Sequence, residues 1–350
     1  MRRALALARR GWGKTAPNPM VGAVVVRDGA IVGEGYHALL GEAHAEVRAL
    51  EASGARARGA TAFISLEPCN HHGKTPPCTD ALIAAGVRRV VAATRDPGPV
   101  AGGGAERLRS SGIVVDIGLE EPEARELNAP FFFAASGAPR PWVTLKLAVS
   151  LDGAVAGPAG APRWLTGEPA RRHVHHLRAQ ADAIAVGIGT AIADDPALTV
   201  RHGRRPRVAP VRVVFDRTAR LPLSSQLVKT ARRVSTLVIA EQPDEGRADA
   251  LGEKGVAIAL ATGLGDALRL LHDRGVRSLL VEGGAALAGS LLAAGLVDRL
   301  IIFQAPVLVG QGGLPAIGGA SRTDRLRIVE RREFGDDVMT IYAVSELPLW

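Results

Sequence analysis

The chain has 350 residues, of which 47% are hydrophobic, 22% charged and only 4% aromatic, and its formal net charge is +8. This composition excludes wholesale disorder and fibrous repeats, and the length suggests about two domains. The positive charge favours anionic partners, either phosphorylated metabolites or nucleic acid, although few aromatic residues are available to stack on bases.

At the N-terminus, an apolar stretch at residues 4–8 lies between two arginine pairs. It is shorter than the roughly 7–15 residues of a signal-peptide core. No apolar run in the sequence approaches the roughly 18 residues that span a bilayer. We therefore expect a cytoplasmic protein that does not associate with a membrane.

Strand and helix patterns alternate through the first part of the sequence. A buried strand is predicted at residues 21–26, closed by a turn at Asp28-Gly29, and a helix at 45–52 that ends near Gly54. The later strands are predicted at 61–65, 87–92 and 113–115, and the later helices at 80–85 and 122–127. Strands that alternate with helices indicate an α/β layer fold with a largely parallel sheet.

The segment 136–141 contains one glycine and two prolines, which is typical of a linker, and divides the chain into domains 1–138 and 139–350. After it, Thr166 is expected to cap a helix that has Pro169 in its first turn. The strands predicted in this second α/β domain are 143–148, 183–186, 211–215, 234–239, 256–260, 278–281, 300–303 and 338–344.

The only two cysteines, Cys69 and Cys78, enclose two histidines, which makes metal binding the first hypothesis. Together with His44 they fit a catalytic zinc site, in which three protein ligands leave a fourth position for water. Zinc lowers the pKa of that water, and Glu46 can then take its proton and pass it to a departing amine. Residues two apart on a helix point about 200° away from each other, so His44 must stand at the very start of its helix.

Other interpretations of these residues remain open. The cysteines could form a loop disulfide, which a cytosolic setting disfavours, or a structural zinc site with His71 or His72 as a fourth ligand. A His-x-Glu pattern alone has little weight, since His44 could be an ordinary residue at the end of a helix. In combination with both cysteines, the pattern favours the catalytic site.

A His-Ala-Glu sequence followed by Pro-Cys is the pattern of zinc nucleobase deaminases, although eight residues rather than two separate the cysteines here. This long loop, with the segments 18–23 and 33–37, resembles the riboflavin-biosynthesis deaminases. Motifs of the second half are similar to the reductase of the same family, at residues 144–148, 150–153, 164–166, 178–180, 187–190 and 193–201. Over nearly its whole length the chain resembles the bifunctional diaminohydroxyphosphoribosylaminopyrimidine deaminase/5-amino-6-(5-phosphoribosylamino)uracil reductases.

The resemblance implies a cytidine-deaminase-like α/β/α domain followed by an α/β domain similar to dihydrofolate reductase. It implies zinc-dependent hydrolytic deamination of 2,5-diamino-6-(5-phosphoribosylamino)pyrimidin-4(3H)-one. NADPH-dependent reduction of the ribosyl group of 5-amino-6-(5-phosphoribosylamino)uracil to ribityl would follow. The expected partners are Zn²⁺, NADPH and a phosphorylated pyrimidine, without nucleic acid, and a homo-oligomer is left open.

In the first domain, the resemblance assigns catalysis to Glu46 and zinc binding to His44, Cys69 and Cys78. It assigns deaminase substrate contacts to Asn18, His71, His72, Lys74 and Thr75. Such a basic, hydroxyl-bearing loop suits a phosphate.

In the second domain, the resemblance assigns substrate contacts to Lys146, Arg178, Leu198, Arg201 and Glu282. The two arginines suit a phosphate as bidentate donors. NADPH contacts are assigned to Ala148, Trp164, Thr190, Asp194, Gly284, Ala285, Ala286, Leu287, Ala288, Gly289 and Ser290. A predicted strand, two glycines and a helix at 285–293 would present backbone N–H groups to a dinucleotide phosphate. A second glycine-rich segment, which begins at Gly187, lacks the third glycine of the G-x-G-x-x-G pattern because position 192 is Ile.

Three positions depart from the family pattern. Pro162, Arg217 and Ala286 stand where the family commonly has hydroxyl-bearing contacts to substrate or cofactor. Each lost hydrogen bond is worth about 0.5–1.5 kcal/mol, which predicts weaker binding without abolishing it.

Two alternative functions are a tRNA- or nucleotide-acting zinc deaminase with an appended binding domain, and a zinc-stabilised binding module. The low aromatic content and the lack of a dense basic tail speak against a nucleic-acid substrate. Substitution of Glu46 by Gln separates the binding module from an enzyme, because it would leave binding intact but stop deamination.

Overall fold

The structure, a computed structural model, describes residues 1–73, 76–158, 164–203, 205–319 and 325–347. It comprises two compact units, Met1–Ala138 and Pro139–Glu346, and the boundary between them falls within the linker predicted at 136–141. Within the described ranges, no helix is long and apolar enough to cross a membrane. Lys74, Thr75 and Pro162 lie outside the described residues.

The first unit alternates helices and strands along the chain. Its elements are α1 (Arg2–Ala8), β1 (Gly22–Arg27), β2 (Ala30–Tyr36), α2 (Ala45–Ser53), β3 (Thr61–Ile64), α3 (Cys78–Ala84), β4 (Arg89–Ala92), α4 (Gly104–Ser110), β5 (Val114–Ile117), α5 (Glu121–Leu127) and α6 (Ala129–Ala135). The strands lie in the order β2-β1-β3-β4-β5. Strands β3, β4 and β5 are parallel, whereas β1 is antiparallel to both of its neighbours.

This mixed sheet corrects the prediction of a largely parallel one in the first domain. Asp28 and Gly29 have φ values of 49° and 78°, which is the left-handed geometry of a two-residue hairpin turn. The chain therefore returns along β1 as β2, a strand that the sequence patterns missed, as they missed α1, α4 and α6.

Two glycines of β2 bring α2 directly onto the sheet. A Cβ atom at Gly33 would overlap the carbonyl oxygen of Ala49, and one at Gly35 would overlap that of Ala45. Ala45 and Ala49 are fully buried in the resulting contact. Because only glycine fits at this distance, these two positions set where the first turn of α2 lies.

The second unit is the larger α/β layer structure. Its elements are β6 (Trp142–Val149), β7 (Ala154–Ala156), α7 (Glu168–Gln180), β8 (Ala183–Gly187), α8 (Ile188–Asp194), β9 (Val211–Phe215), α9 (Gln226–Lys229), β10 (Thr236–Ala240), α10 (Glu245–Glu253), β11 (Ala257–Leu260), α11 (Leu264–Asp273), β12 (Ser278–Glu282), α12 (Ala285–Ala293), β13 (Arg299–Gln304), β14 (Leu314–Pro315), β15 (Arg327–Phe334) and β16 (Asp337–Ala343). The main sheet has the order β11-β10-β9-β8-β12-β6-β13-β16-β15, and β14 pairs with β7.

The strands of the main sheet from β11 to β13 are parallel to one another. Strand β16 is antiparallel to β13, and the edge strand β15 is antiparallel to β16. The predicted α/β class is thus confirmed. Strand β12 lies between β8 and β6, although it follows both by many residues. In open α/β sheets, ligands bind at the carboxyl ends of strands where the connections diverge in this way.

The start of α7 differs from the prediction. Its N-cap is Gly167, not Thr166, and no side chain caps the helix. The N–H of Gly167 instead donates a hydrogen bond to Asp337 Oδ2 at 2.7 Å, from the far end of the chain. The predicted proline in the first turn, Pro169, is present.

Helix α7 packs on one face of the sheet, where His173 joins an apolar cluster. The cluster includes Val174, Phe303 and Met339. The ring centroid of His173 lies 4.5 Å from that of Phe334. Burial lowers the pKa of His173 to about 4, so the ring is neutral at pH 7.

Acidification from pH 7 to pH 5 should therefore destabilise the fold. As the pH falls below about 6.5, the unfolded chain binds a proton at His173 that the folded chain accepts only near its pKa of about 4. At pH 5 this difference lowers the free energy of unfolding by about 2 kcal/mol. His173→Phe should remove this part of the loss, as measured by urea unfolding at both pH values. An equal loss in the variant and the wild type would contradict the prediction.

Candidate active sites

A cavity of about 520 Å³ opens in the first unit. Residues from five separate segments line it, among them Asn18, His37, His44, Glu46, Cys69 and His71. Most of the residues predicted for the deaminase site are therefore brought together around one space of a size that suits a small ligand.

His44 stands immediately before helix α2. Its backbone is extended, with φ −70° and ψ 166°, and it forms the N-cap of the helix. Glu46 follows in the first helical turn and is 4% exposed. The condition derived from the sequence, that His44 must lie off the regular helix to share a site with Glu46, is met.

The imidazole of His44 meets both cysteine sulfurs. His44 Nδ1 lies 3.2 Å from Cys78 Sγ and 3.6 Å from Cys69 Sγ. The donor atoms of the three residues lie within 4.8 Å of one another. Tetrahedral zinc, with bonds of about 2.1 Å to nitrogen and 2.3 Å to sulfur, separates such atoms by about 3.6 Å. This donor set fits a zinc ion.

The alternative interpretations of the cysteines find less support. Both cysteines are buried and free, so they do not form a disulfide. Within the described part of the chain, the group of metal-ligating side chains contains only His44 and the two cysteines, without His71 or His72 as a fourth ligand. Three ligands leave a coordination position for water.

Hydrogen bonds and burial set the charges of this group. The hydrogen bond between the two thiols lowers the pKa of Cys69 to about 4 and raises that of Cys78, and the Cys78 backbone N–H also donates to Cys69 Sγ at 3.4 Å. Burial raises the pKa of Glu46 to about 7, and the negative charge of Cys69 acts in the same direction. A carboxyl group with a pKa near neutrality can both accept and donate a proton.

The predicted substrate residues of the first domain are not all at the cavity. Asn18 and His71 line it, and Nδ1 of His71 is buried without a hydrogen-bond partner. His72 is exposed and is not one of the lining residues. The structure therefore separates two neighbouring histidines that the sequence treats alike.

His37 is a cavity residue that the sequence patterns did not single out. It is 3% exposed, and its ring meets that of His44 edge-on at 5.2 Å. Neither ring nitrogen has a hydrogen-bond partner of regular geometry among the described residues. Burial lowers the pKa of the ring, and the nearby Ala43 backbone opposes this shift. The signal was present in the segment 33–37, which contributed to the family resemblance but carried no assigned role.

Glu67 and Asp96 also line the cavity, although the sequence analysis did not predict them. Glu67 is buried and accepts hydrogen bonds from the N–H groups of Ala105 and Asp96, at 2.8 and 3.1 Å. It thereby holds the loop that carries Asp96. Burial raises the pKa of Asp96 to about 6.

In the second unit, three predicted substrate residues form one charged cluster. Arg178 of α7 and Glu282 at the end of β12 make a bidentate ion pair, with N–O distances of 2.5 and 2.8 Å. Lys146 of β6 is the register partner of Glu282 on the neighbouring strand. Burial would raise the pKa of Glu282, but the charge of Arg178 holds it below its ordinary value, whereas burial lowers the pKa of Lys146.

The two other predicted substrate residues follow α8. Leu198 is 2% exposed and has a positive φ of 47°. Arg201 is exposed, and its pKa is lowered by partial burial and by the charge of Arg178. Arg178 also donates to the carbonyl oxygen of Thr199 at 3.0 Å, so this segment is held beside the charged cluster.

The predicted cofactor residues lie partly at the glycine turn after β12. Gly283 and Gly284 have φ values of 75° and 89°, and a Cβ atom at Gly284 would lie 2.8 Å from Thr190 Oγ1. The turn and α8 therefore approach each other closely. Gly284 is the N-cap of α12, whose first backbone N–H groups are available to an anion. This cradle fits a dinucleotide phosphate.

The other predicted cofactor residues of this segment, at 285–290, differ in burial. Leu287 and Ala288 pack in the apolar core, and a Cβ atom at Gly289 would overlap the carbonyl oxygen of Gly318. Ala285 is also buried, whereas Ala286 and Ser290 are exposed. The side chains of Leu287 and Ala288 therefore contribute to the core of the second unit, and their contacts with NADPH stay predictions.

The remaining predicted cofactor residues are dispersed. Ala148 lies on β6, two residues beyond Lys146, and Asp194 ends α8. Trp164 is 59% exposed, with the guanidinium of Arg171 5.7 Å from the centre of its ring. Arg217, one of the departures from the family pattern, follows β9 and pairs with Glu241 at 2.6 Å.

Comparison with known proteins matches both units. Residues 1–94 match the cytidine and deoxycytidylate deaminase zinc-binding region, and residues 141–340 match the RibD C-terminal domain. The riboflavin biosynthesis protein RibD of Aquifex aeolicus is 43% identical over 98% of this chain and 97% of its own length.

Solved structures of similar proteins match the fold of this chain over nearly its full length. Acinetobacter baumannii RibD is 38% identical, with a TM-score of 0.82 over 98% of this chain and 97% of its own. A Thermotoga maritima diaminohydroxyphosphoribosylaminopyrimidine deaminase/5-amino-6-(5-phosphoribosylamino)uracil reductase is 35% identical, with a TM-score of 0.83 over the same shares of the two chains.

The fold, the donor geometry and these matches define an enzyme that joins a zinc-type deaminase domain to a reductase domain. Both parts are present over nearly the full length of the relatives. The chain belongs to the RibD family of riboflavin biosynthesis proteins. Its predicted cofactors, zinc and NADPH, agree with the two domains of this family.

Metal analysis tests the zinc ligands directly. The purified wild-type chain should contain about one zinc per chain, and Cys69→Ser or Cys78→Ser should contain far less, because two donors do not hold the ion tightly. His71→Ala should keep its zinc if the site has three ligands. His72→Ala serves as the exposed control, and full zinc content in either cysteine variant would contradict the assignment.

Proposed function

We propose that this chain catalyses two consecutive steps of riboflavin biosynthesis at separate sites. Domain 1–138 would deaminate 2,5-diamino-6-(5-phosphoribosylamino)pyrimidin-4(3H)-one. Domain 139–350 would reduce the ribosyl group of the product, 5-amino-6-(5-phosphoribosylamino)uracil, to ribityl. The observation that carries the first step is the contact of His44 Nδ1 with two free sulfurs, 3.2 and 3.6 Å away, beside the cavity that His44, Glu46 and Cys69 line.

In the deaminase site, His44, Cys69 and Cys78 would hold zinc. When bound, zinc supplies a Lewis acid that makes water a nucleophile at neutral pH. The carboxylate of Glu46 takes a proton from the attacking water and delivers it to the amine that departs as ammonia. Burial raises the pKa of this carboxylate above its ordinary value, which favours delivery of the proton to the leaving amine.

Three polar side chains of the cavity would orient the pyrimidine. The amide of Asn18 offers a donor and an acceptor to the edge of the ring. The unpartnered ring nitrogens of His37 and His71 offer further hydrogen bonds, and an unpaired buried nitrogen gains most when a ligand pairs it. His72, Lys74 and Thr75 remain predicted contacts of the ribose phosphate.

In the reductase site, NADPH supplies the hydride when it is bound, and the glycine turn at 283–284 would hold one of its phosphates. Lys146, Arg178 and Glu282 would bind the sugar, with Leu198 and Arg201 beside them. Arg178 and Arg201 together outnumber the single carboxylate of Glu282, so these side chains carry a net positive charge that suits a phosphorylated substrate.

Separate sites suit the two reactions. Hydrolytic deamination requires water at the metal, whereas hydride transfer benefits from its exclusion. A nucleotide- or tRNA-acting deaminase loses support, because residues 141–340 match the RibD C-terminal domain. A small phosphorylated pyrimidine as the substrate, without nucleic acid, remains our proposal, and the cytoplasmic location and oligomeric state stay predictions.

Glu46→Gln should separate catalysis from binding. The amide cannot accept the proton, so ammonia release should fall by about 10²- to 10⁴-fold. Zinc content and NADPH oxidation with preformed 5-amino-6-(5-phosphoribosylamino)uracil should stay at the wild-type level. Undiminished ammonia release would exclude Glu46 as the proton carrier and favour a different deaminase mechanism.

Lys146→Ala is the complementary variant. It removes a buried charge of the reductase cluster, so NADPH oxidation should fall while ammonia release from the diaminopyrimidine is unchanged. The two activities are followed separately, by NADPH absorbance and by an ammonia assay. Equal loss of both would contradict two independent sites.

A further inference from the structure

The segment 195–201 holds a backbone that ordinary residues rarely adopt. Asp195 and Leu198 have φ values of 39° and 47°, in the left-handed region that favours glycine. Such conformations persist only where the surroundings hold them in place. The segment carries two predicted substrate residues, Leu198 and Arg201, so its anchors bear on the reductase site.

Four side chains outside the segment hold it at alternate residues. The side chain of Gln226 donates to the carbonyl oxygen of Asp195, and its backbone N–H donates to Asp195 Oδ1. Arg212 and Arg178 donate to the carbonyl oxygens of Ala197 and Thr199. His175 Nδ1 accepts from the backbone N–H of Arg201. Arg178 already belongs to the charged cluster. His175, which forms the last anchor, has no role in the proposed mechanism.

His175 reaches Arg201 from helix α7. It is 6% exposed and lies three residues before Arg178, on the same face of the helix. The N–H of Arg201 donates to His175 Nδ1 at 3.2 Å. Nδ1 can accept this bond only in the neutral ring, whose proton is then on Nε2.

The charges around His175 keep the ring neutral. It is faced by Arg178 of its own helix, by Arg201 and His202 of the following loop, and by Glu282 of β12. Burial and then the charges of the two arginines lower the pKa of His175 to about 4. The ring of His202 packs edge-on against it at 4.9 Å. An acceptor is therefore available to Arg201 throughout the neutral pH range.

We propose that His175 is a positioning residue of the reductase, which fixes the backbone of Arg201 so that its guanidinium meets the substrate phosphate beside Arg178. This inference rests on the proposed reductase function. Apart from the Thr199 hydroxyl at 3.3 Å, no described hydrogen bond holds the Arg201 side chain, so the backbone anchor is what fixes the point from which this side chain extends. Loss of the anchor should weaken binding of the phosphate more than it affects hydride transfer.

The test compares His175→Leu, which removes the acceptor, with His175→Asn, whose Oδ1 can replace Nδ1. In the full chain, H175L should raise KM for 5-amino-6-(5-phosphoribosylamino)uracil about three- to tenfold, the usual effect of one hydrogen bond, while kcat changes little. H175N should restore KM to near the wild-type value. KM for NADPH and the rate of ammonia release should be unchanged in both variants.

Two further measurements separate positioning from a general structural effect. With the dephosphorylated substrate, H175L and wild type should have the same KM, because the phosphate contact is absent. In an R201A background, H175L should have no additional effect on KM. Calorimetric titration with the ribityl phosphate product, without NADPH, should show the same three- to tenfold weakening in H175L.

The results that would contradict the reductase function differ from those that would contradict the positioning role of His175. A wild-type chain that deaminates but does not oxidise NADPH would overturn the proposed reductase function, and this inference with it. An active wild type with unchanged KM in H175L, additive effects of H175L and R201A, or failure of H175N to restore KM would overturn the positioning role alone. If H175L does not fold, the KM of H175N and the double variant H175N/R201A decide the same question.

Discussion

The contact of one imidazole with two sulfurs depends on where helix α2 begins. His44 is extended and α2 starts one residue later, so the ring leaves the helix axis while Glu46 enters its first turn. Gly33 and Gly35 allow α2 to lie against β2, because any side chain there would overlap the helix backbone. The metal donors and the buried carboxylate of the first unit therefore depend on two residues that have no side chains.

The second unit organises its site through a buried ion pair. Removing charges from water is costly unless they are paired and hydrogen-bonded. Arg178 and Glu282 satisfy each other in bidentate fashion, and a spare N–H of Arg178 reaches Thr199. The same guanidinium thus joins the end of β12, helix α7 and the segment after α8, and Lys146 adds its charge from the neighbouring strand.

Much of the fold could be predicted because apolar runs and glycine stops are local signals. The strand at 211–215 and the helix at 285–293 have the predicted bounds. Strand β2 was missed because its glycines weaken the strand pattern, and the cap at Thr166 was wrong because the group that holds this helix start, Asp337, is remote in sequence. The cluster of His44 with the two cysteines could be predicted from the motif, whereas His37 lies in a segment, 33–37, that supported the family resemblance but assigned no role to a single histidine.

Strand register also limits how the second unit tolerates changes of length. Along β6, Leu145 and Leu147 face the apolar core, and Lys146 between them lies opposite Glu282. Since side chains alternate between the faces of a strand, deleting one residue inside β6 would turn the ammonium group into the core and set a leucine beside the carboxylate. Insertions and deletions that preserve the reductase activity are thus restricted to the loops on either side of β6, because a change of length there does not alter which face each side chain of the strand points to.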